Sequence, residues 1–315
     1  MFTKKRLLFL GKFLISGLLF AYLIHFINWQ EVLQYFKNIK IIYVIYFLIF
    51  YCTGIVISAR KWQILAKFKN FFYPLKFYIE TYIIGTFINN FLPSFVGGDA
   101  YRIYRLGEEK KNFKISSGTV VVDRLSGLLG IIILSIIFGL FNFKLFSQNL
   151  ILQFISLSLV VGFFTFLLLI FLVKWKKDFV KDKLNILPKK VFEYFIYFTS
   201  FREIKIVANF MLYSFLFSFI GIALANFMLF QSMGIEIGIV NYLSVIFLIS
   251  IVASAPISIG NVGVKEWAYI TLFGLFGVSS SGAVAVVLIS RFLQMMVSFS
   301  AFPLYLKKKK GIDKN

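Results

Sequence analysis

Residues 89–106 read NNFLPSFVGGDAYRIYRL: an apolar run broken by Pro93 and by the Gly97-Gly98 pair, then restarted at Asp99 with Arg102 and Arg105 behind it. Proline removes a backbone donor and glycine frees the backbone, so a helix entering this stretch must stop and start again. A counterpart lies at residues 254–266, SAPISIGNVGVKE, where Pro256, Gly260 and Gly263 are followed at once by Lys265 and Glu266. In membrane proteins, two such interrupted apolar segments at corresponding places in two halves point to a polar site near the bilayer midplane.

Composition fixes the solvent. The chain of 315 residues is 60% hydrophobic and 20% aromatic, with a mean hydropathy of +0.86; soluble domains hold about 45–50% apolar residues. A polytopic all-α membrane protein is expected, with residues 1–315 as one integral domain. The net charge of +21 does not imply nucleic acid, because the basic residues lie in short loops between apolar runs. A lone cysteine, Cys52, excludes internal disulfides and a cysteine metal cage. Residues 7–27 follow a basic start without a small-residue cleavage site, so they read as an uncleaved first span.

A span needs about 20 apolar residues. Six stretches qualify: 7–27, 41–58, 119–140, 151–173, 206–230 and 283–306; two shorter ones, 77–92 and 239–255, end at the broken motifs. The positive-inside rule places the residues around the first short stretch on one side, so 77–92 is expected to enter from the cytoplasm and turn back at 93–98. With that assignment the cytoplasmic segments hold 27 of the 34 Lys and Arg, and both termini are cytoplasmic in a cell membrane. The second hairpin is expected to re-enter from outside. Residues 41–140 and 206–306 then form an inverted repeat: six full spans plus two re-entrant broken-helix hairpins. Between the halves, residues 174–205 carry Val180, Leu184, Leu187, Val191, Phe195 and Phe198 at near-helical spacing among lysines, which suits a basic interfacial helix bent at Pro188.

An ionisable group inside a bilayer costs about 2.5–3.5 kcal/mol at a helix centre, so each needs a partner or a purpose. The candidates are Lys12, Glu80, Asp99, Asp123, Arg124, Lys265, Glu266 and Arg291, with His25 an interfacial polar residue. Arg291 lies deep in the last span with Gln294 on its face; it is either a ligand for an anionic group or a strut paired with Glu266 or Asp123. Asp99 falls at a helix N-cap position, one turn before Arg102 and two before Arg105, either positioning these arginines for a head group or simply capping. Gly260-Asn261-Val262-Gly263 carries no acid in its turn and reads as the better anion nest, with Lys265 beside it. Asp123-Arg124 reads as an interfacial anchoring pair. No GxSxG, HExxH, P-loop or dinucleotide turn is present, so neither an enzyme nor a cofactor is expected, although an Asp99–Glu266 acid pair stays open.

These motifs resemble the lysylphosphatidylglycerol synthase transmembrane family, a flippase-like domain also described as uncharacterised protein family 0104. The resemblance rests on residues 89–106, on VVDRLSGLLG from Val121, on APISIGNVGVKE and on VVLISRF ending at Arg291 and Phe292. It implies movement of a lipid between leaflets and puts the family's polar positions at Asp99, Arg102, Arg124, Glu266 and Arg291. Asp123, Lys265 and Asn261 depart from the family's usual Glu, Arg and Gly. No soluble aminoacyl-transferase domain follows, so lipid lysylation is not expected. Three functions compete: a lipid flippase whose cavity is lined by Arg102, Arg124, Glu266 and Arg291; a membrane-embedded lipid transferase; and a scaffold for a separate lipid-modifying enzyme. Membrane lipids are the expected partners in all three.

Overall fold

The computed structural model describes residues 4–91, 96–108, 110–175, 197, 199–201, 203–255 and 258–306. The breaks at Pro93 and Pro256, the amphipathic positions of the 174–205 segment and the basic tail beyond residue 306 lie outside the described residues.

Every regular element among the described residues is helical. Helix α1 (Lys4–Phe26) leads into the short α2 (Trp29–Lys37), which Asn28 caps by accepting from the amides of Gln30 and Glu31. Helix α3 (Ile41–Phe68) has 28 residues, about 42 Å at 1.5 Å per residue. It runs ten residues past the expected end at 58, because Lys61 and Trp62 are buried side chains and not the first residues of a wet loop. Helices α4 (Leu75–Asn89) and α5 (Val96–Gly107) follow, then α6 (Phe113–Phe141), whose first turn is capped by Asn112. After α7 (Phe143–Gln148) comes α8 (Leu150–Trp175). Helix α9 (Ile204–Ser232) contains a π-helical stretch over Phe217–Leu224. The chain ends, as far as it is described, with α10 (Ile239–Ser254), α11 (Val264–Gly274) and α12 (Ser280–Phe299), the last capped by Ser279 and continued to Leu306.

Five of these are long and apolar enough to cross a bilayer: residues Ile41–Phe68, Phe113–Phe141, Leu152–Leu172, Ile204–Ser232 and Ser280–Leu306. Helix α1 has 23 residues and overlaps the expected first span at 7–27, but its described apolar part, Ser16–Phe26, is too short by itself to cross. The chain is therefore an all-α, multi-pass membrane protein. The helices at the two breaks are different. With 15 and 12 residues in α4 and α5, and 16 and 11 in α10 and α11, each is shorter than the about 20 residues a crossing requires.

Two glycine contacts set the packing. The α-carbons of Gly54 in α3 and Gly221 in the π stretch of α9 are so close that a Cβ on Gly54 would stand 2.7 Å from the Gly221 Cα. In the first hairpin, Gly98 of α5 presses on α4 so tightly that its Cβ would meet the Gly85 carbonyl oxygen at 2.3 Å. Without a solvent-driven hydrophobic force between helices in lipid, such close approach is a main source of cohesion. The largest core links α3, α6, α9, α10, α11 and α12 through Phe47, Phe230, Tyr242, Phe247 and Phe273. A smaller one around Trp62, Phe71, Tyr78 and Leu106 holds the α4–α5 hairpin to α3. Just beyond α3, the Lys69 ammonium donates to Ser200 Oγ at 2.7 Å and lies about 5 Å from the rings of Phe68, Tyr197 and Phe201; burial there holds it below its usual range.

Candidate functional site

At the first break, four helices bring charged residues together. Helix α3 contributes Lys61, α4 contributes Tyr82, α5 contributes Asp99 and Arg102, and α6 contributes Asp123 and Arg124. Asp123 is the centre: its Oδ2 accepts from Arg102 Nη2 at 2.6 Å and from the Tyr82 hydroxyl at 3.2 Å. Lys61 Nζ lies 3.1 Å from Asp123 Oδ1 and donates to the Asp123 carbonyl at 2.8 Å. The Lys61, Arg102 and Asp123 side chains are almost wholly buried, at 3%, 3% and 1% exposure. The Arg102 guanidinium is also held between aromatic rings, 4.3 Å from Trp62 and 4.2 Å from Tyr82, so its charge meets two π faces as well as its carboxylates.

Asp99 connects this core to the outside. Its carboxylate accepts from Arg102 Nη1 at 3.3 Å and takes a fork from Arg124, Nε to Oδ2 at 3.0 Å and Nη2 to Oδ1 at 3.1 Å. Arg124 is 51% exposed where its neighbour Asp123 is buried. Adjacent helical residues point about 100° apart, so the pair divides between interior and edge. The anchoring-pair expectation is thereby corrected: Asp123 is the buried hub and only Arg124 faces outward. Helix α5 starts at Val96, three residues before Asp99, which therefore lies inside the first turn and is not the N-cap. The amide of Gly98 is taken by Asn89 Oδ1 at 2.7 Å, leaving it no role in binding an anion. Arg105 stands apart, donating to Glu108 and lying 5.8 Å from the Phe77 ring.

The second break is built around Arg291. Its Nε donates to Glu266 Oε1 at 2.8 Å, Nη1 to the Gly260 carbonyl at 3.0 Å and Nη2 to the Asn261 carbonyl at 2.7 Å. Gly260, Asn261 and Gly263 all adopt positive φ (58°, 56° and 86°), and this left-handed run turns the carbonyls onto the guanidinium. Glu266, 4% exposed, also receives the Gly263 amide on Oε2 at 2.8 Å, capping α11. The anion-nest expectation is corrected here too. The chain's own carboxylate fills the amide, and the turn offers carbonyl oxygens to a cation. Lys265 lies 5.7 Å from the Tyr269 ring. Gln294, partly buried, donates to Ser290 Oγ at 2.9 Å, and buried Ser290 donates to Asn226 Oδ1 at 3.1 Å.

Of the expected single constellation, the structure makes two: Asp99, Arg102 and Arg124 with Asp123, and Glu266 with Arg291. No hydrogen bond or ion pair between described residues joins them, although Asn90, the C-cap of α4, donates to Ser298 of α12, the helix that carries Arg291. Lys61, Trp62 and Tyr82 are not among the residues the sequence singles out, because a Lys-Trp pair just past an apolar run has the pattern of an interfacial flank.

The structure is that of a multi-pass, all-α membrane protein with a buried ion cluster at the first helix break and a partly exposed ion pair at the second. The chain belongs to the family described as the lysylphosphatidylglycerol synthase TM region, whose model matches residues 9–301. It is similar to the UPF0104 membrane protein PH1989 of Pyrococcus horikoshii, with 22% identity over 298 residues covering 85% of this chain and 87% of that protein. No solved structure matches the chain significantly.

Proposed function

We propose that this protein moves a lipid head group between the leaflets of a cell membrane, using the two broken hairpins as re-entrant elements of an inverted repeat. In this reading α4–α5 enters from the cytoplasmic side and α10–α11 from the opposite side, with both termini cytoplasmic. The observation that carries it is the first cluster: Arg102 and Asp123 are buried at a helix break, and Arg124 at its edge is half exposed. Broken backbone at membrane depth is tolerated where protein buries it or where it borders a wet cavity, and charge placed there usually marks a pathway. Membership of a family named for the membrane region of a lipid-modifying enzyme supports a lipid substrate.

The test is reconstitution into liposomes holding a fluorescent anionic lipid, with a membrane-impermeant quencher added outside. Faster loss of the inner-leaflet signal than in protein-free vesicles is expected. Equal rates across anionic, zwitterionic and polyprenyl-phosphate probes with and without protein would overturn the reading.

A further inference from the structure

The charges of the first cluster do not cancel. Lys61, Arg102 and Arg124 bring three positive charges and Asp99 and Asp123 bring two negative ones, and among the described residues their ion pairs stay inside this set of five. The neutral groups around it are Tyr82, Trp62 and the Asp123 carbonyl. The four more enclosed groups, Lys61, Arg102, Asp123 and Asp99, balance one another, so the surplus falls to Arg124 at the half-exposed edge, where it can attract a counter-charge from outside the set. Two features show where the cluster has unused donors. Among the described residues, Arg102 Nε is buried with no hydrogen-bond partner, in a side chain 3% exposed, while Asp123 Oδ1, also without one, has Lys61 Nζ at 3.1 Å. Among the described residues Arg124 bonds Asp99 through Nε and Nη2 and has no acceptor on Nη1, in a side chain 51% exposed. The second cluster lacks this opening, since Arg291 spends all three of its nitrogens on Glu266, Gly260 and Asn261.

We propose that the Lys61–Asp123–Arg102–Asp99–Arg124 cluster is a site for one monoanionic phosphodiester, with Arg124 as the contact that carries the surplus charge and Lys61 as a positioning residue whose charge balances the buried groups without touching the ligand. The phosphodiester is that of a lipid head group, which rests on the lipid-transport reading above. Selection is by charge balance. One negative group brings the cluster to neutrality, a zwitterion brings its own cation, and a dianionic phosphomonoester overshoots.

Binding to the purified full chain, measured apart from transport, tests this with four probes: short-chain phosphatidylglycerol, phosphatidic acid, phosphatidylcholine and inorganic phosphate. Phosphatidylglycerol is expected to bind tightest. Lys61→Met makes the cluster neutral and should weaken that binding by about tenfold, the equivalent of one modest charge interaction. Lys61→Met with Asp123→Asn returns the sum to one positive charge and should recover affinity. Asp99→Asn, at the more exposed end, raises the sum to two and should shift preference toward phosphatidic acid, which provides a check that does not depend on the buried pair. Parental affinity in Lys61→Met would overturn the proposal, as would an unshifted preference in Asp99→Asn with a parental melting curve. Inorganic phosphate binding as tightly as phosphatidylglycerol would overturn the lipid assignment. If binding follows the charge pattern and vesicle exchange stays at the protein-free rate, the transport reading falls and the site stands.

Discussion

Asn261 holds a left-handed backbone conformation and turns its carbonyl oxygen onto Arg291 Nη2 at 2.7 Å. The turn and the arginine therefore depend on each other. A left-handed conformation costs a residue with a β-carbon about 1–2 kcal/mol, and asparagine tolerates it better than most.

Asn261→Gly should accordingly keep the melting temperature near the parent's, while Asn261→Val should lower stability by roughly 1–2 kcal/mol from backbone strain alone. Thermal unfolding in detergent or nanodiscs checks the order. Equal effects from Gly and Val would mean that the side chain, and not φ, matters at this position.

Arg291→Met leaves Glu266 buried without its cation and should destabilise by about 3–5 kcal/mol. Adding Glu266→Leu removes that charge but also the cap on the Gly263 amide, and the Gly260 and Asn261 carbonyls still lack their donor. The double variant should thus regain only part of the lost melting temperature. Full recovery would show that the carbonyl contacts contribute nothing. The transport reading further expects the double variant to be inactive in the liposome assay; parental rates would make Arg291 a strut.

The visible and hidden parts of the sequence differ for a physical reason. Helix breaks leave marks in residue type, because proline and glycine are the residues that interrupt a helix, so both short hairpins were legible around Gly97-Gly98 and Gly260. Which charges pair was not, because it depends on side chains far apart in the chain. Lys61 meets Asp123 across 62 residues, and nothing near Lys61 distinguishes it from Arg60, which bonds Gln63 on its own helix. The same blindness merged two clusters into one constellation. The Gly263 amide is filled by Glu266, three residues on, and residue type alone does not distinguish a carboxylate that caps a turn from one that meets a ligand.

Gly98→Ala should be severely disruptive, since the new carbon would lie 2.3 Å from the Gly85 carbonyl oxygen and backbone cannot move aside cheaply. Gly85→Ala meets the Gly98 oxygen at 3.1 Å and should be milder. Across the main core, Gly54→Ala should destabilise strongly, whereas Gly162→Ala in α8, with nothing within 4 Å, should be neutral or slightly stabilising as a helix former. Melting temperatures of the four variants check the ranking.

With Cys52 replaced, single cysteines at positions Lys111, Lys183 and Lys309 should resist an impermeant thiol reagent in intact cells and react after permeabilisation. Labelling of any one from outside would overturn the proposed orientation. Cys52 must be removed first because it is exposed.

The π-helical stretch at Phe217–Leu224 changes what a deletion would mean. Its hydrogen bonds reach one residue farther than those of an α-helix, so it stores slack in the winding of α9. Removing one residue there would let the segment rewind as ordinary helix, keeping the register of Asn226 and Phe230 toward their partners, while the same removal anywhere else in α9 would swing everything downstream by about 100°. Sequence length in this helix is therefore elastic at one place only, and Gly221, pressed against Gly54, sits inside it.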